Sequence, residues 1–280
     1  MTQEQKRPRV STLNHIGIVA KYNFVNYFRA RRFYVMLAIV VLITGLLTVA
    51  IGYYRPPGFL GGDVLGFYGA GWGRFVDFVV ILSTAFFGGD AISGEFQSRT
   101  GYFLVPNPIR RSAIYVGKWL AALLASTIIL AIFALILVAN GIYYFGTSIP
   151  WQFEQSFAFS WIFLVAALSL TFAFSSLFKS SSISILMSVI LLLFVFNVID
   201  AVASDVIGIE PWFSITYGAG IVANVLSTTF PEHIMTTTVG RFSLTTYNAT
   251  VPEGLGILAV YFAVTALLGL WLFERKEFTS

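Results

Sequence analysis

Long uninterrupted runs of apolar residues dominate the chain. Six such runs cover residues 33–54, 73–92, 119–144, 157–178, 183–202 and 254–273. A helix rises about 1.5 Å per residue, so about 20 residues cross about 30 Å of hydrocarbon. Each run is long enough to do so. The pattern therefore predicts an all-α integral membrane protein, in which residues 1–280 form a single transmembrane domain with six spans.

The segment before the first run has the pattern of an amphipathic helix. Its apolar positions fall towards one side: Leu13, Ile16, Val19, Tyr22 and Phe24. Its basic positions would stay in water: Lys21, Arg29, Arg31 and Arg32. This arrangement predicts an N-terminal helix along the cytoplasmic interface, with its basic residues near anionic lipid headgroups. The alternative is a plain solvated tail.

The connection between the fifth and sixth runs, residues 203–253, is long and not simply polar. Residues 212–230 include many aromatic and aliphatic side chains, but Gly218 and Gly220 interrupt them. Short external helices that lie at the membrane surface or dip into it would explain this pattern. A folded external cap without membrane contact explains it equally well.

Composition and charge agree with a membrane location. Hydrophobic residues make up 57% of the chain and charged residues 11%, whereas soluble domains have about 25% charged residues. Fourteen of the 17 Lys and Arg residues are predicted on one side of the membrane. They precede the first run, follow the last run, or lie in the second-to-third and fourth-to-fifth connections. The exceptions are Arg55, Arg74 and Arg241. By the positive-inside rule both termini are cytoplasmic, and we expect a multi-pass protein of the cell membrane that binds no nucleic acid.

Acidic and histidine residues give little support for chemistry on this chain. Arg74 and Asp77 are three positions apart at the start of the second run, so they are expected to share a helix face and neutralise each other. Asp90 and Asp200 lie near span ends, where intramembrane acids are candidates for a transport role. His15 and His233 are predicted on opposite sides of the membrane, which indicates two surface residues rather than one metal site.

No phosphate-binding loop of the form G-x-x-x-x-G-K-[ST] occurs. Gly117-Lys118 is followed by Trp119 and lacks the upstream glycine, so it cannot hold nucleotide phosphates. The chain is therefore expected to be a non-enzymatic protein with no cofactor of its own. If ATP drives it, another polypeptide binds the nucleotide.

The second and third runs are joined by residues 93–118. We interpret residues 93–111 as a short cytoplasmic helix followed by a turn. Phe96, Thr100 and Phe103 would share one face of this helix, and Glu95 and Arg99 would pair on another. Arg110 and Arg111 follow Pro106 and Pro108 and would meet lipid phosphates or an acidic protein surface. Exposed aromatic faces usually bind a partner. A helix that only rests on the headgroups is the alternative.

This segment resembles the region between the second and third spans of ABC-2 type permeases, the membrane subunits of one class of ABC exporter. The family shows a Glu, a Thr five residues later, Leu-rich positions, a Pro-Ile/Val-x-Arg sequence and a Gly-Lys that opens the third span. The matching residues here are Glu95, Thr100, Leu104, Pro108-Ile109-Arg110-Arg111 and Gly117-Lys118. One departure is that Arg99, rather than Gly, precedes Thr100.

The resemblance implies a permease subunit that forms the translocation pathway. Residues 93–111 would be a coupling helix seated on a separate ATPase subunit, with Phe96 and Phe103 as apolar anchors and Glu95 and Arg99 setting the register. Two ATPase copies, which carry ATP and Mg²⁺, would act on a dimer of permease chains, most simply a homodimer. The alternative from another functional class is an autonomous channel or secondary transporter without an ATPase partner.

Overall fold

The computed structural model describes residues 12–54, 63–98, 110–146, 149–239 and 242–275. Helices account for most of them. In chain order these are α1 (Thr12–Arg29), α2 (Arg31–Tyr54), α3 (Val64–Tyr68), α4 (Val76–Gly88), α5 (Ser93–Gln97), α6 (Arg111–Phe145), α7 (Trp151–Leu177), α8 (Ser181–Ile190), α9 (Phe196–Ala201), α10 (Ile215–Ala219), α11 (Ile221–Asn224) and α12 (Val251–Arg275). Short π-helical turns at Gly69–Gly73, Leu191–Val195 and Val202–Ile207 continue neighbouring helices.

Six helical stretches in the described part of the chain are long and apolar enough to cross a membrane, which confirms the predicted number. They are Arg31–Tyr54, Val64–Gln97, Arg111–Phe145, Trp151–Leu177, Ser181–Ile207 and Val251–Arg275. The third span begins at Arg111, well before the apolar run that starts at Trp119. Helix α6 continues through Lys118 because that charged side chain finds partners inside the protein, as described below. The same helix ends at Gly146, whose φ of 81° favours glycine.

The core of the bundle lies where α4 packs against α6 and α7, and α7 in turn packs along α12. Trp72 stacks on Phe133 with ring centroids 5.2 Å apart. Its indole Nε1 donates to Ser156 Oγ at 3.0 Å, and that hydroxyl donates to the Val222 carbonyl at 2.6 Å. The side chains of Trp72, Phe133 and Ser156 are all buried. This chain of hydrogen bonds fixes α11 on the second and fourth spans at the end of the bundle opposite the termini.

The region between the fifth and sixth spans contains a β-hairpin, which departs from the predicted all-α fold. Strand β1 (Ile234–Val239) pairs antiparallel with β2 (Phe242–Tyr247), and the pairing runs from Ile234 with Tyr247 to Val239 with Phe242. Several β-branched threonines occupy both strands, which favours extended backbone. Asn248 completes the open end of the hairpin, since its backbone N–H donates to the His233 carbonyl at 2.8 Å and its side-chain Nδ2 to the Glu232 carbonyl at 2.9 Å.

Candidate functional site

Helix α5 lies at the bundle end that carries the termini and is fixed to the fourth span. The backbone N–H groups of Ile92 and Ser93 both donate to the Ser175 hydroxyl of α7 at 2.9 Å. The first N–H groups of a helix have no partner inside the helix, so a buried side-chain acceptor stabilises the helix start. Ser175 therefore links the position of α5 to that of α7.

Lys118 of α6 forms an ion pair with Glu95 of α5. Its Nζ lies 2.6 Å from Glu95 Oε1 and also donates to the Ala91 carbonyl at 3.0 Å. The Lys118 side chain is only 7% exposed, whereas that of Glu95 is 26% exposed. A buried ammonium needs such partners because burial of an unpaired charge is costly. The third span is thus joined to α5 directly.

Helix α1 crosses α6 at Gly117. A Cβ atom added at Gly117 would lie 2.8 Å from Val19 Cβ and 3.0 Å from the Ile16 carbonyl oxygen. Only glycine allows the two helix backbones to approach so closely. The two residues of the Gly117-Lys118 pair therefore contribute differently. Gly117 allows α1 to pack closely on α6, and Lys118 forms the ion pair with α5.

A second ion pair joins the first span to the second. The Arg32 guanidinium contacts the Asp90 carboxylate, which also accepts a hydrogen bond from the Ser181 hydroxyl. The Ser181 backbone N–H donates to Gln97 Oε1 at 2.9 Å. The Arg32 side chain, which the sequence pattern places in water, is 41% exposed and also has a counter-charge in Asp90. This network brings together the starts of α2 and α8 and the end of α5.

Between these two ion pairs lies a polar cavity of about 550 Å³. Tyr27 forms part of its wall and donates its hydroxyl to the Phe87 carbonyl at 3.0 Å. Burial raises the pKa of the Tyr27 hydroxyl above its ordinary value. The cavity is lined by Asn23, Asn26, Tyr27, Ala30, Arg32, Asp90, Ala91, Gly94, Glu95, Gln97, Ser98, Lys118, Ser181 and Ser182. Its two carboxylates, Asp90 and Glu95, both have cationic partners.

The predicted coupling residues fall partly within the described structure. Phe96 is half-buried and packs against the core. Arg110 precedes α6, and Arg111 Nη1 donates to the Glu274 carbonyl at 2.8 Å, so the third span begins beside the end of the sixth. Arg99, Thr100 and Phe103 lie outside the described residues. The roles of all of these residues in partner binding stay predictions.

Other charged residues adopt arrangements that differ from the expectations. Arg74 and Asp77 form no ion pair with each other, because Arg74 is exposed while Asp77 turns inward and leaves its Oδ1 buried without a hydrogen-bond partner. Asp200 accepts a hydrogen bond from the Thr216 hydroxyl at 2.5 Å. That bond ties α10 to the end of the fifth span, so Asp200 has a structural contact that accounts for its position.

Comparison with protein-family sequence models matches residues 18–278 to the ABC-2 family transporter protein. This range includes all six spans. The chain belongs to the ABC-2 transporter family. ABC-2 proteins are permease-type components of membrane transport, generally not catalytic themselves, and normally work with an ABC ATPase. A comparison with individual curated proteins gave no match.

Several residues that organise this end of the ABC-2 fold do not stand out in the sequence. Lys118 is recognised there as part of the Gly-Lys that opens the third span and as a basic residue that indicates orientation, but its pairing with Glu95 is not predicted, and Ser175 is one of several polar residues within the spans. A lone lysine beside an apolar run, with an acid at the start of the preceding connection, is the signal that could have identified Lys118. Ser175 offers no comparable signal, because its partners are backbone groups of another span.

Proposed function

We propose that this chain is the permease subunit of an ATP-binding cassette exporter. Two copies form a homodimer in the cell membrane, with both termini in the cytoplasm. Each copy binds one separate ATPase chain, which carries the ATP and Mg²⁺. Residues 93–111 form the contact with the ATPase, with Phe96, Thr100 and Phe103 on the docking face and Arg99, Arg110 and Arg111 providing charge.

The attachment of α5 to three spans is the observation that carries this proposal. Helix α5 continues the second span, hydrogen-bonds to Ser175 of the fourth, and forms an ion pair with Lys118 of the third. A force applied to residues 93–111 is therefore transmitted to these three spans together. A segment that merely rested on lipid headgroups would have no need for such rigid attachment.

The energy source supports the same assignment. The sequence contains no phosphate-binding loop, so we assign the ATP hydrolysis of the proposed exporter to a separate chain. ATP binding makes the two ATPase chains close on each other. This closure shifts the permease between its inward- and outward-facing conformations only if the ATPases bind those two conformations with different free energies. The rigid attachment of α5 provides that difference, because its position depends on the arrangement of the spans.

Co-purification with ATPase chains encoded in the same genome, in lipid nanodiscs, tests the proposal. We expect a complex of two permease and two ATPase chains by native mass spectrometry. Phe96→Ala and Phe103→Ala should each weaken ATPase binding at least tenfold, which is about 1.4 kcal/mol. Tyr22→Ala is the control, since Tyr22 is an exposed aromatic residue at the same end of the bundle. Transport by the chain alone, or unchanged ATPase binding in the Phe96→Ala/Phe103→Ala variant, would refute the proposal.

A further inference from the structure

Glu210, His233 and Glu253 converge at the end of the bundle opposite α5. One donor atom from each residue lies within 4.8 Å of a donor atom of both others. His233 Nε2 is 3.5 Å from Glu210 Oε2, and His233 Nδ1 is 4.0 Å from Glu253 Oε2. The three residues come from different segments: the connection after the fifth span, the approach to β1, and the first turn of α12. We propose that they bind a divalent transition-metal ion of the Zn²⁺ class.

The histidine is oriented as a metal ligand would be. His233 Nδ1 lies 3.0 Å from the Asn248 carbonyl oxygen. A carbonyl can only accept, so Nδ1 carries a proton, and Nε2, on the side of Glu210, is the ring nitrogen left for a metal ion. Histidines that bind metals usually donate their other ring N–H to a backbone carbonyl or a carboxylate, which fixes the tautomer. Asn248 supplies that carbonyl here.

Both carboxylates are also held in place by neighbouring donors. The Tyr217 hydroxyl donates to Glu210 Oε1 at 2.6 Å, which leaves Oε2 facing the histidine. The Thr250 backbone N–H donates to Glu253 Oε2 at 3.2 Å, as in a capping box at the start of a helix. One oxygen of each carboxylate lies within 4.8 Å of the other. Adjacent carboxylates repel each other unless a proton or a cation lies between them.

The donor set and the spacing indicate which ion fits. One imidazole nitrogen with two carboxylate oxygens suits Zn²⁺ and its neighbours, whereas Mg²⁺ and Ca²⁺ prefer oxygen alone. Tetrahedral Zn²⁺ ligands lie about 3.4 Å apart, whereas the donor atoms lie within 4.8 Å of one another, so they need to close by about 1.4 Å at most. The side chains are 27% to 39% exposed, so water reaches the site and completes the coordination.

Bound metal would tie the hairpin to both the fifth and the sixth spans. The described contacts of this region include the hydrogen bond from the Tyr247 hydroxyl to the Gly208 carbonyl at 2.8 Å and the packing of Tyr247 against the core; a metal ion would add to them. Since a ligand that binds only the folded state raises its stability, metal should stabilise the whole chain. This proposal is independent of the ATPase assignment.

A Co²⁺ titration of the full chain in detergent tests the site, after chelator treatment and with an affinity tag that contains no histidines. We expect visible absorption bands that saturate at one Co²⁺ per chain, and displacement of the Co²⁺ by Zn²⁺. Zn²⁺ should raise the Tm of the chain by several degrees. Wild-type protein that shows no saturable bands would overturn the proposal without reference to any variant.

Variants then assign the ligands. His233→Asn keeps a donor for the Asn248 carbonyl but loses the metal-binding nitrogen, and Glu210→Gln keeps the shape of the side chain. Each should weaken binding at least tenfold, while Glu232→Gln, which changes an exposed acid beside the site, should stay within twofold of wild type. Equal affinity in wild type and His233→Asn would show that the cluster is held by shared protons instead.

Discussion

Lys118 Nζ lies 2.6 Å from Glu95 Oε1, although 23 positions separate the two residues in the chain. The pair joins the third span to α5 at a depth where the lysine is almost completely covered. Two helices that share a buried ion pair cannot move apart without exposing a charge to solvent or leaving a buried charge without its partner. The pair is therefore expected to keep α5 and the third span together when the transporter changes conformation.

Removal of either partner of this pair should destabilise the fold. Hydrogen bonds to charged groups contribute about 1.5–3 kcal/mol, so Glu95→Gln and Lys118→Met should each lower the free energy of unfolding by about that amount. The double variant should be more stable than the two separate losses predict, by about 1 kcal/mol or more. Thermal unfolding followed by tryptophan fluorescence measures this cycle. Strictly additive losses would show that the pair contributes no interaction of its own.

A methyl group at Gly117 should push α1 away from α6. The added Cβ would meet Val19 at 2.8 Å and the Ile16 carbonyl oxygen at 3.0 Å, and overpacking of this kind costs about 1–3 kcal/mol. Thermal unfolding should show that loss in Gly117→Ala.

Gly17 provides the matched control for this substitution. It lies in α1 with open space beside its Cα, since no heavy atom would lie within 4 Å of an added Cβ. Gly17→Ala should stabilise the chain by up to about 1 kcal/mol, because alanine favours helix more than glycine does. A similar loss of stability in Gly17→Ala and Gly117→Ala would contradict the proposed close crossing at Gly117.

Ser175→Ala should disturb α5 more than it disturbs the bundle. The change leaves the buried N–H groups of Ile92 and Ser93 without their acceptor, at a cost of about 1–3 kcal/mol for each unsatisfied group. Hydrogen exchange should therefore be faster at residues 92–97. Ser83→Ala is the control, because the buried Ser83 hydroxyl donates only to the Val80 carbonyl of its own helix. Equal exchange in both variants would argue against an anchoring role for Ser175.

The stability of the fold should depend on the Tyr27 hydroxyl at high pH. Burial raises the pKa of this group above its ordinary value of 10.0. Below pH 10 the hydroxyl is protonated in both states and its bond to the Phe87 carbonyl contributes fully. Above pH 10 only the unfolded chain readily loses the proton, so the contribution falls as the pH rises.

The Tyr27→Phe variant isolates this effect. At pH 8 it should be less stable than wild type by about 1 kcal/mol, the usual value of one hydrogen bond. The difference in Tm should shrink between pH 8 and pH 11. Tyr22→Phe, which changes an exposed ring on the same helix, serves as the control. A constant difference in Tm across this pH range would show that the hydroxyl does not titrate against folding.

The spans could be predicted from the sequence because hydrocarbon demands about 20 apolar residues in a row. The start of the third span could not, since Lys118 interrupts the run and its tolerance depends on Glu95 and Ala91, which belong to another segment. The hairpin escapes prediction for a different reason. The aromatic stretch 212–230 favours helices, while the threonines of residues 236–238 and 245–246 carry the strand signal.

The pairing of charges was the least predictable part of the site. Glu95 has a basic residue four positions later in Arg99, so local spacing favours that pair. The structure places Lys118 beside Glu95, a pairing that local spacing does not predict, while Arg99 lies outside the described residues. Likewise His233 has no acidic residue at helical spacing that would indicate a metal site. Glu210 and Glu253 reach it only because the hairpin folds back between the ends of two spans.

The bond from the Asn248 amide to the Glu232 carbonyl has a consequence for glycosylation. Asn248-Ala249-Thr250 is an acceptor sequence for N-linked sugar. The sugar attaches to Nδ2, the atom that donates to Glu232 at 2.9 Å, and the neighbouring Ala249 is only 1% exposed. The closed hairpin thus engages the acceptor nitrogen itself in a hydrogen bond at the surface. A glycan would replace one of the two hydrogens of Nδ2, so the closed hairpin accommodates it only if the remaining N–H faces the Glu232 carbonyl.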